Sequence, residues 1–81
     1  MRVSVLLFGH YSDYFPDQPL SFDLPDGATV HDIAVTLEEH DTRLIQLERR
    51  CRFAIEEEYA SQNSPLFDGC TVAVLPPMSG G

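Results

Sequence analysis

The sequence predicts one α+β domain, with a mixed sheet of four to five strands and one main helix packed on one face of it. Residues 20–24 alternate apolar and polar side chains, which is the period of a half-buried strand. Residues 30–37 place apolar side chains at helical spacing, which indicates a helix with one apolar face. Residues 70–75 form a continuous apolar run, as expected of a strand at the centre of a sheet.

The N-terminal part of the chain predicts two strands joined by an irregular region. Residues 2–8 are a β-branched and apolar run that suits a strand buried on at least one face. Residues 9–19 combine glycine, proline, histidine and aromatic side chains, and we expect an irregular turn region there. The sequence 25–27, Pro-Asp-Gly, is typical of a turn and follows the second strand.

The main helix is predicted to begin after Thr29. Thr29 is a suitable N-cap, and Asp32 three positions later approaches the capping-box pattern. The charge of Asp32 also suits the positive end of the helix dipole. The apolar face continues to about His40, and residues 43–50 predict a second, short helix.

The C-terminal half predicts three further strands. Residues 51–55 form the third strand, residues 58–60 a short return, and residues 70–75 the last strand. Glu56 and Glu57 disfavour the positive φ of a two-residue hairpin, so we expect a longer or bulged turn between the third strand and its return. A crossover leads from the first hairpin to the last strand, which predicts that the last strand pairs parallel with the first.

Charge and composition restrict the classes of partner. The 81 residues include 13 acidic and five basic side chains, which gives a net charge of −8. We expect no nucleic-acid partner, because such a partner requires a basic face. The negative charge suits partners with basic surfaces, and the alternative is that it only keeps a small domain in solution. No apolar run has the length of a membrane span, and no secretory leader is recognisable. The sequence therefore predicts a cytoplasmic protein without a membrane partner.

The reactive side chains of the domain do not form a recognisable active site. His10, His31 and His40 lack the spacing of metal ligands, so we expect no metal site. Cys51 and Cys70 are expected to be free thiols, buried or half-buried, because cytoplasmic thiols stay reduced. The sequence contains no Gly-rich phosphate loop, nucleophile elbow or Cys-x-x-Cys motif. We therefore expect no bound cofactor and no active site within the domain itself.

The chain ends on a tail that directly follows the last predicted strand, Pro76-Pro77-Met78-Ser79-Gly80-Gly81. Two prolines cannot continue a sheet ladder, and two glycines carry no side chain beyond hydrogen. Fully extended, these six residues reach about 20 Å. We therefore expect a domain over residues 1–75 and a flexible tail over residues 76–81, slim enough to bring its terminal carboxylate into a narrow site of another protein.

The tail motif Pro-Pro-x-Ser-Gly-Gly behind an apolar strand resembles the end of the MoaD-type small subunit of molybdopterin synthase, in the MoaD/ThiS family of ubiquitin-like sulfur carriers. Residues 3–8 resemble the opening strand of that family, residues 53–55 its central strand, and residues 65–69 its Leu-x-Asp-Gly turn. The resemblance spans the whole chain, although only the tail motif is specific. It implies the ubiquitin-like β-grasp fold, which is also the fold that the predicted order of elements describes.

The resemblance implies that the chain is a sulfur-donor subunit rather than a catalyst. An activating enzyme, similar to ubiquitin-activating adenylyltransferases, would use ATP and Mg²⁺ to convert the carboxylate of Gly81 into an acyl-adenylate. A sulfurtransferase or cysteine desulfurase would then supply the sulfur for a thiocarboxylate on Gly81. The large subunit of molybdopterin synthase, in a heterotetramer with this chain, would use that sulfur on the cyclic pyranopterin precursor in molybdenum cofactor biosynthesis.

The resemblance also implies a role for each part of the tail. Gly80 and Gly81 would form the reactive end. Met78 and Ser79 would pass through the partner's channel, and Pro76 and Pro77 would set the direction of the tail. A thin tail buries little area, so we expect an apolar docking patch at its root. The candidates for this patch are Phe8, Phe53 and Leu75, and the alternative is that some of them belong to the core instead.

Other functions share the same tail and remain alternatives. A ubiquitin-like sulfur carrier for thiamine synthesis or for tRNA thiolation would also be activated at Gly81. A ubiquitin-like protein modifier would join Gly81 to lysines of other proteins, and a β-grasp adaptor would have only a structural role. Protein conjugates in cell extracts would favour the modifier, whereas a neighbouring gene for a large synthase subunit would favour the synthase.

Overall fold

Five strands form one sheet in the computed structural model, which describes residues 1–77. The elements are the strands β1 (Arg2–Leu7), β2 (Leu20–Asp23), β3 (Arg52–Ile55), β4 (Glu58–Ala60) and β5 (Thr71–Leu75), the helices α1 (Val30–His40) and α2 (Leu47–Arg50), and a 3₁₀ helix (Gly9–Tyr14). The order across the sheet is β2-β1-β5-β3-β4, with β1 and β5 parallel and the other neighbours antiparallel. The predicted mixed sheet, with the first and last strands as neighbours, is confirmed.

One face of the sheet carries the core. Val5 lies opposite Val72 in the parallel ladder, and Val74 lies between Leu7 and Phe53. Helix α1 covers these buried side chains with the four residues of its predicted apolar face, Val30, Ile33, Ala34 and Leu37. The alternate residues of β5 remain half-exposed on the other face of the sheet. The prediction that one helix covers one face is therefore confirmed.

The start of α1 follows from two nearby side chains. The carboxylate of Asp32 accepts a hydrogen bond from the backbone N–H of Thr29 at 2.8 Å and a longer one from its hydroxyl at 3.4 Å. These contacts satisfy polar groups at the helix end and place a negative charge near the positive end of the dipole. Thr29 is the N-cap, as predicted.

The prediction of a longer or bulged turn after β3 is wrong. Ile55 pairs directly with Glu58, so Glu56 and Glu57 form a two-residue turn with φ of 49° and 73°. Such a turn matches the twist of the strands that it joins, which favours it despite the cost of positive φ. The turn is also tied to β5, because Glu56 accepts the N–H of Thr71 through its carboxylate at 2.7 Å and donates its own N–H to the Thr71 carbonyl at 3.0 Å.

The second helix is shorter than predicted. Only Leu47–Arg50 are helical, because Gln46 has a left-handed φ of 53° and separates them from the preceding turn. The backbone N–H of Leu47 donates to the carboxylate of Glu38 on α1 at 2.9 Å, which joins the two helices. The buried side chains of Leu44 and Leu47 extend the core along this segment.

Both cysteines are free thiols, with Cys70 buried and Cys51 half-buried, as predicted. In the described part of the chain, no helix has the length and apolar character needed to cross a membrane. Met78, Ser79, Gly80 and Gly81 lie outside the described residues, so their predicted roles stay predictions.

Candidate functional site

The root of the tail lies where the central strands β1 and β5 end, midway along one edge of the sheet. Because β1 and β5 are parallel, their C-terminal ends meet at this edge, where the N–H of Phe8 donates to the carbonyl of Val74 at 3.2 Å. Strand β5 ends at Leu75, and Pro76 and Pro77 continue the chain away from the ladder. The central strand of the fold therefore leads directly into the tail.

Gly9 allows Pro76 to lie close to the end of β1. The φ of Gly9 is +63°, and a Cβ built on this residue would lie 2.6 Å from Cγ of Pro76, well inside van der Waals contact. The 3₁₀ helix that begins at Gly9 is held by a hydrogen bond from the hydroxyl of Ser12 to the Gly9 carbonyl at 2.8 Å. Sequence reasoning placed Gly9 only in an irregular turn, because its contact with Pro76 joins opposite ends of the chain.

Gly9→Ala is expected to cost more stability than alanine at a glycine of similar backbone conformation. Gly27 is the matched control, since its φ is +92° and nothing lies within 4 Å of a Cβ there. We expect Gly27→Ala to lower the free energy of unfolding by about 1–2 kcal/mol. Gly9→Ala should lose about 1–3 kcal/mol more than that, because the methyl group and the Pro76 ring overlap. Urea unfolding of both variants measures the difference.

A double-mutant cycle identifies the cause of the additional loss. Pro76→Ala removes the ring atom that the new methyl group would strike, so it should recover much of the stability lost in Gly9→Ala. Equal losses at Gly9 and Gly27, or purely additive effects of Gly9→Ala and Pro76→Ala, would show that the contact is unimportant.

An open depression surrounds the root of the tail. It is lined by residues from the ends of β1, β5 and α2 and from β3 and β4, namely Phe8, Gly9, His10, Arg49, Arg50, Cys51, Arg52, Tyr59, Leu75, Pro76 and Pro77. Four predicted site residues meet here, which are Phe8, Leu75, Pro76 and Pro77. Phe8 is 44% exposed, and Leu75 is half-buried.

Phe53 is not part of this surface, and its assignment to the docking patch is wrong. Its side chain is only 2% exposed and belongs to the core cluster, because it alternates with the exposed Arg52 and points to the helix-covered face of β3. Tyr59, which sequence reasoning treated only as a strand residue, is 70% exposed and lines the depression instead. The sequence signal that could have identified Tyr59 as a surface residue was a large aromatic side chain in a short edge strand.

Cys51 lines the same depression but is not an activated nucleophile. Burial raises the pKa of the Cys51 thiol above its ordinary value, and this effect outweighs the opposing influence of the Tyr11 hydrogen bond and of the Arg50 charge. The thiol is therefore protonated at neutral pH, and it is the thiolate that reacts. The described domain thus places apolar and cationic groups around the tail rather than a reactive cysteine.

His10 lines the depression at the tail root, whereas His31 and His40 lie elsewhere in the fold. The ring Nδ1 of His31 is hydrogen-bonded to the carboxylate of Glu48, and His40 packs against the rings of Phe15 and Phe22 with centroid distances of 5.9 and 5.5 Å. Within residues 1–77, no cluster of three or more histidine, cysteine or acidic side chains has an arrangement that could hold a metal ion.

Comparison with known proteins identifies similar chains. Residues 5–81 match the ThiS family. A curated relative from Chlamydomonas reinhardtii, named molybdopterin synthase sulfur carrier subunit, is 31% identical over 83 residues, and the match covers 100% of both chains.

Two solved structures share the fold. SAMP1 from Haloferax volcanii superposes with a TM-score of 0.85 at 20% identity, with 100% of both chains covered. A chain in the complex of subunits 1 and 2 of molybdopterin-converting factor from Helicobacter pylori superposes with a TM-score of 0.67 at 23% identity, again over 100% of both chains. The predicted ubiquitin-like β-grasp fold is confirmed.

Proposed function

The chain belongs to the ThiS family, and from this premise we propose that it is the sulfur-carrier small subunit of a molybdopterin synthase. The observation that carries the proposal is the full-length similarity to a relative of that name, in a chain with the Pro-Pro-x-Ser-Gly-Gly end. The geometry supports it, since the tail continues the central strand and its root lies in a partly apolar depression.

The chemistry of this function begins at the carboxylate of Gly81. A C-terminal carboxyl group has a pKa of about 3.5 and is ionised at neutral pH, so it needs a leaving group before a nucleophile can attack it. An activating enzyme with ATP and Mg²⁺ supplies that leaving group as AMP, in an acyl-adenylate. The terminal sulfur of a persulfide on the sulfur donor displaces AMP, which links Gly81 to the donor through an acyl disulfide. A thiol then attacks the donor's sulfur atom, forms a disulfide with it and releases the thiocarboxylate on Gly81.

The domain contributes reach and orientation to the next step. From Pro76 to Gly81 the tail spans at most about 20 Å, enough to enter a deep cleft while the folded domain stays outside. Pro76, seated on Gly9, sets the direction in which the tail leaves the sheet. Holding the thiocarboxylate close to the pterin precursor makes the sulfur transfer effectively intramolecular, which is the main source of rate acceleration available to a subunit without catalytic groups.

The large synthase subunit is the proposed partner at the tail root. The similar chain from Helicobacter pylori was solved in a complex of subunits 1 and 2 of molybdopterin-converting factor. Phe8 and Tyr59 offer exposed aromatic area beside the tail, and Leu75 adds half-buried aliphatic area. Aromatic anchors at the centre of an interface commonly dominate its binding energy. We place this assembly in the cytoplasm, where thiols such as Cys51 remain reduced.

Phe8→Glu is expected to weaken binding to the large subunit at least about tenfold, because a charge would be buried in an apolar contact. Phe67→Glu is the matched control. Phe67 is 52% exposed but lies in the turn before β5, at the opposite edge of the sheet. Titration calorimetry with the large subunit measures both affinities, and circular dichroism confirms that both variants fold. Normal binding by a folded Phe8→Glu variant would refute the docking patch.

Intact mass spectrometry tests the proposed function. The chain is incubated with an activating enzyme, ATP and a sulfur source, and we expect the mass gain of one oxygen-to-sulfur exchange. Adding the large subunit and the pterin precursor should then restore the original mass as the sulfur is donated. A thiocarboxylate that the large subunit cannot use would indicate a carrier for thiamine or tRNA thiolation, and covalent conjugates to lysines would indicate a protein modifier.

A further inference from the structure

We propose that Arg49, Arg50 and Arg52 form a basic rim at the tail root, which docks against acidic side chains around the cleft of the large synthase subunit. The proposal rests on the proposed function, since it assumes that this subunit receives the tail. It differs from the sequence-based expectation that the acidic chain seeks basic surfaces, because the charge at the tail root is opposite to the net charge.

The charges of the chain are distributed unevenly. The sequence has 13 acidic residues and five arginines, yet the depression at the tail root is lined by three of those arginines and by none of the acidic residues. All three arginine residues are exposed. The arginines therefore form a positive surface at the tail root, where a partner that receives the tail would contact this chain.

The other two arginines, Arg2 and Arg43, each form an ion pair with a carboxylate of this chain. Arg2 pairs with Asp23 at 3.1 Å, and Arg43 pairs with Asp41 at 2.6 Å. The hydrogen bonds from Arg43 hold the pKa of Asp41 at about 2, below its usual value. Among residues 1–77, no carboxylate lies within ion-pair distance of the three rim arginines. Their charges thus remain available for another molecule.

The fold holds the rim against the tail. Helix α2 ends at Arg50, and β3 begins at Arg52, which pairs with Leu75 at the end of β5. The guanidinium of Arg52 also lies 5.3 Å from the centroid of the Tyr59 ring, a cation–π distance that orients its side chain. The cations therefore border the same apolar surface that Phe8 and Tyr59 expose.

The overall charge favours a protein with a local acidic rim as the occupant. Nucleic acid and anionic membranes are extended polyanions, and a net charge of −8 would be repelled by both. An acidic rim on a folded partner contacts only the arginines and leaves the acidic remainder of this chain in solvent. Charges at the rim of an interface mainly raise the association rate and select the partner, and their effect is screened by salt.

The test compares two variants with the same net charge. The rim variant is Arg49→Gln/Arg52→Gln, which spares Arg50 because that residue lies beside Tyr11 and Cys51. The control is Arg2→Gln/Arg43→Gln, which removes two charges elsewhere. Affinity and association rate for the large subunit are measured by biolayer interferometry at about 0.05 M and about 0.5 M salt. We expect the rim variant to lose about fivefold to tenfold in affinity at low salt, with a shallower salt dependence, and the control to lose little.

The outcomes separate this inference from the proposed function. Equal weakening of the two variants would show an effect of net charge alone, and unchanged binding of the rim variant would show no effect, so either result would overturn the rim while the proposed function stands. Unchanged binding with slower precursor conversion at saturating large subunit would assign the arginines to an anionic group of the substrate instead. Failure of the wild-type chain to bind the large subunit at low salt would overturn the proposed function, and the rim with it.

Discussion

A chain that ends at Gly80 is expected to lose sulfur transfer completely while keeping the wild-type free energy of unfolding. The buried core lies between Val3 and Val74, and the ladder of β5 ends at Leu75. Removing Gly81 therefore leaves the packing and the strand pairing of the described domain unchanged. The reactive carbon, in contrast, is withdrawn by about 3.5 Å, which is far outside the tolerance for attack in a preorganised site.

The assay follows thiocarboxylate formation by intact mass and precursor conversion with the large subunit, alongside urea unfolding. One residue added after Gly81 should be as harmful as the deletion, because it displaces the reactive carbon by the same distance in the other direction. Gly80→Ala and Gly81→Ala keep the carboxylate and should hinder activation, because under the proposed function the added methyl group would have to pass through a partner channel shaped for backbone. Full activity of a chain that ends at Ser79 would contradict the proposed function.

Phe53→Ala is expected to lower the free energy of unfolding by about 3–5 kcal/mol, which is a large part of the roughly 5–15 kcal/mol available to a small domain. The Phe53 side chain is 2% exposed and belongs to the core that also contains Val74 and Leu37, so its removal leaves a cavity between sheet and helix. Phe67→Ala is the matched control, because that phenylalanine is 52% exposed. Urea unfolding should separate the two variants clearly.

This result matters for the interpretation of binding experiments. A Phe53 variant that binds the large subunit poorly would report unfolding, whereas a Phe8 variant that stays folded reports docking. Similar stability losses for Phe53→Ala and Phe67→Ala would contradict the burial of Phe53 and return it to the candidate docking surface.

Features that depend on neighbouring residues were predictable from the order of residues alone. The helical period over residues 30–37 and the alternation over residues 20–24 each reflect a face turned toward the core. The contact between Thr29 and Asp32 spans only three positions, so a local motif was sufficient to predict it. The stop after Leu75 follows from the chemistry of proline, which has no N–H to donate to a ladder.

Features that depend on residues distant in sequence became visible only in the folded chain. Phe53 and Phe8 have the same side chain but different surroundings. The pairing of β3 with β5 directs the side chain of Phe53 toward the core, whereas Phe8 follows the end of β1 and remains exposed. The Glu56-Glu57 turn was mispredicted because two distant effects outweigh the energetic cost of positive φ. These effects are the pairing of β3 with β4 and the two hydrogen bonds between Glu56 and Thr71.

The surroundings of the tail were hidden from the sequence for the same reason. Residue order alone does not show that Gly9 lies under Pro76, or that Arg49 and Arg52 border the depression from which the tail leaves. These contacts exist because the parallel pairing of β1 with β5 and the antiparallel pairing of β3 with β5 bring three chain segments to one edge of the sheet. Local preferences specify each strand, whereas the pairing of strands, which depends on burying a shared core, specifies what stands beside the tail.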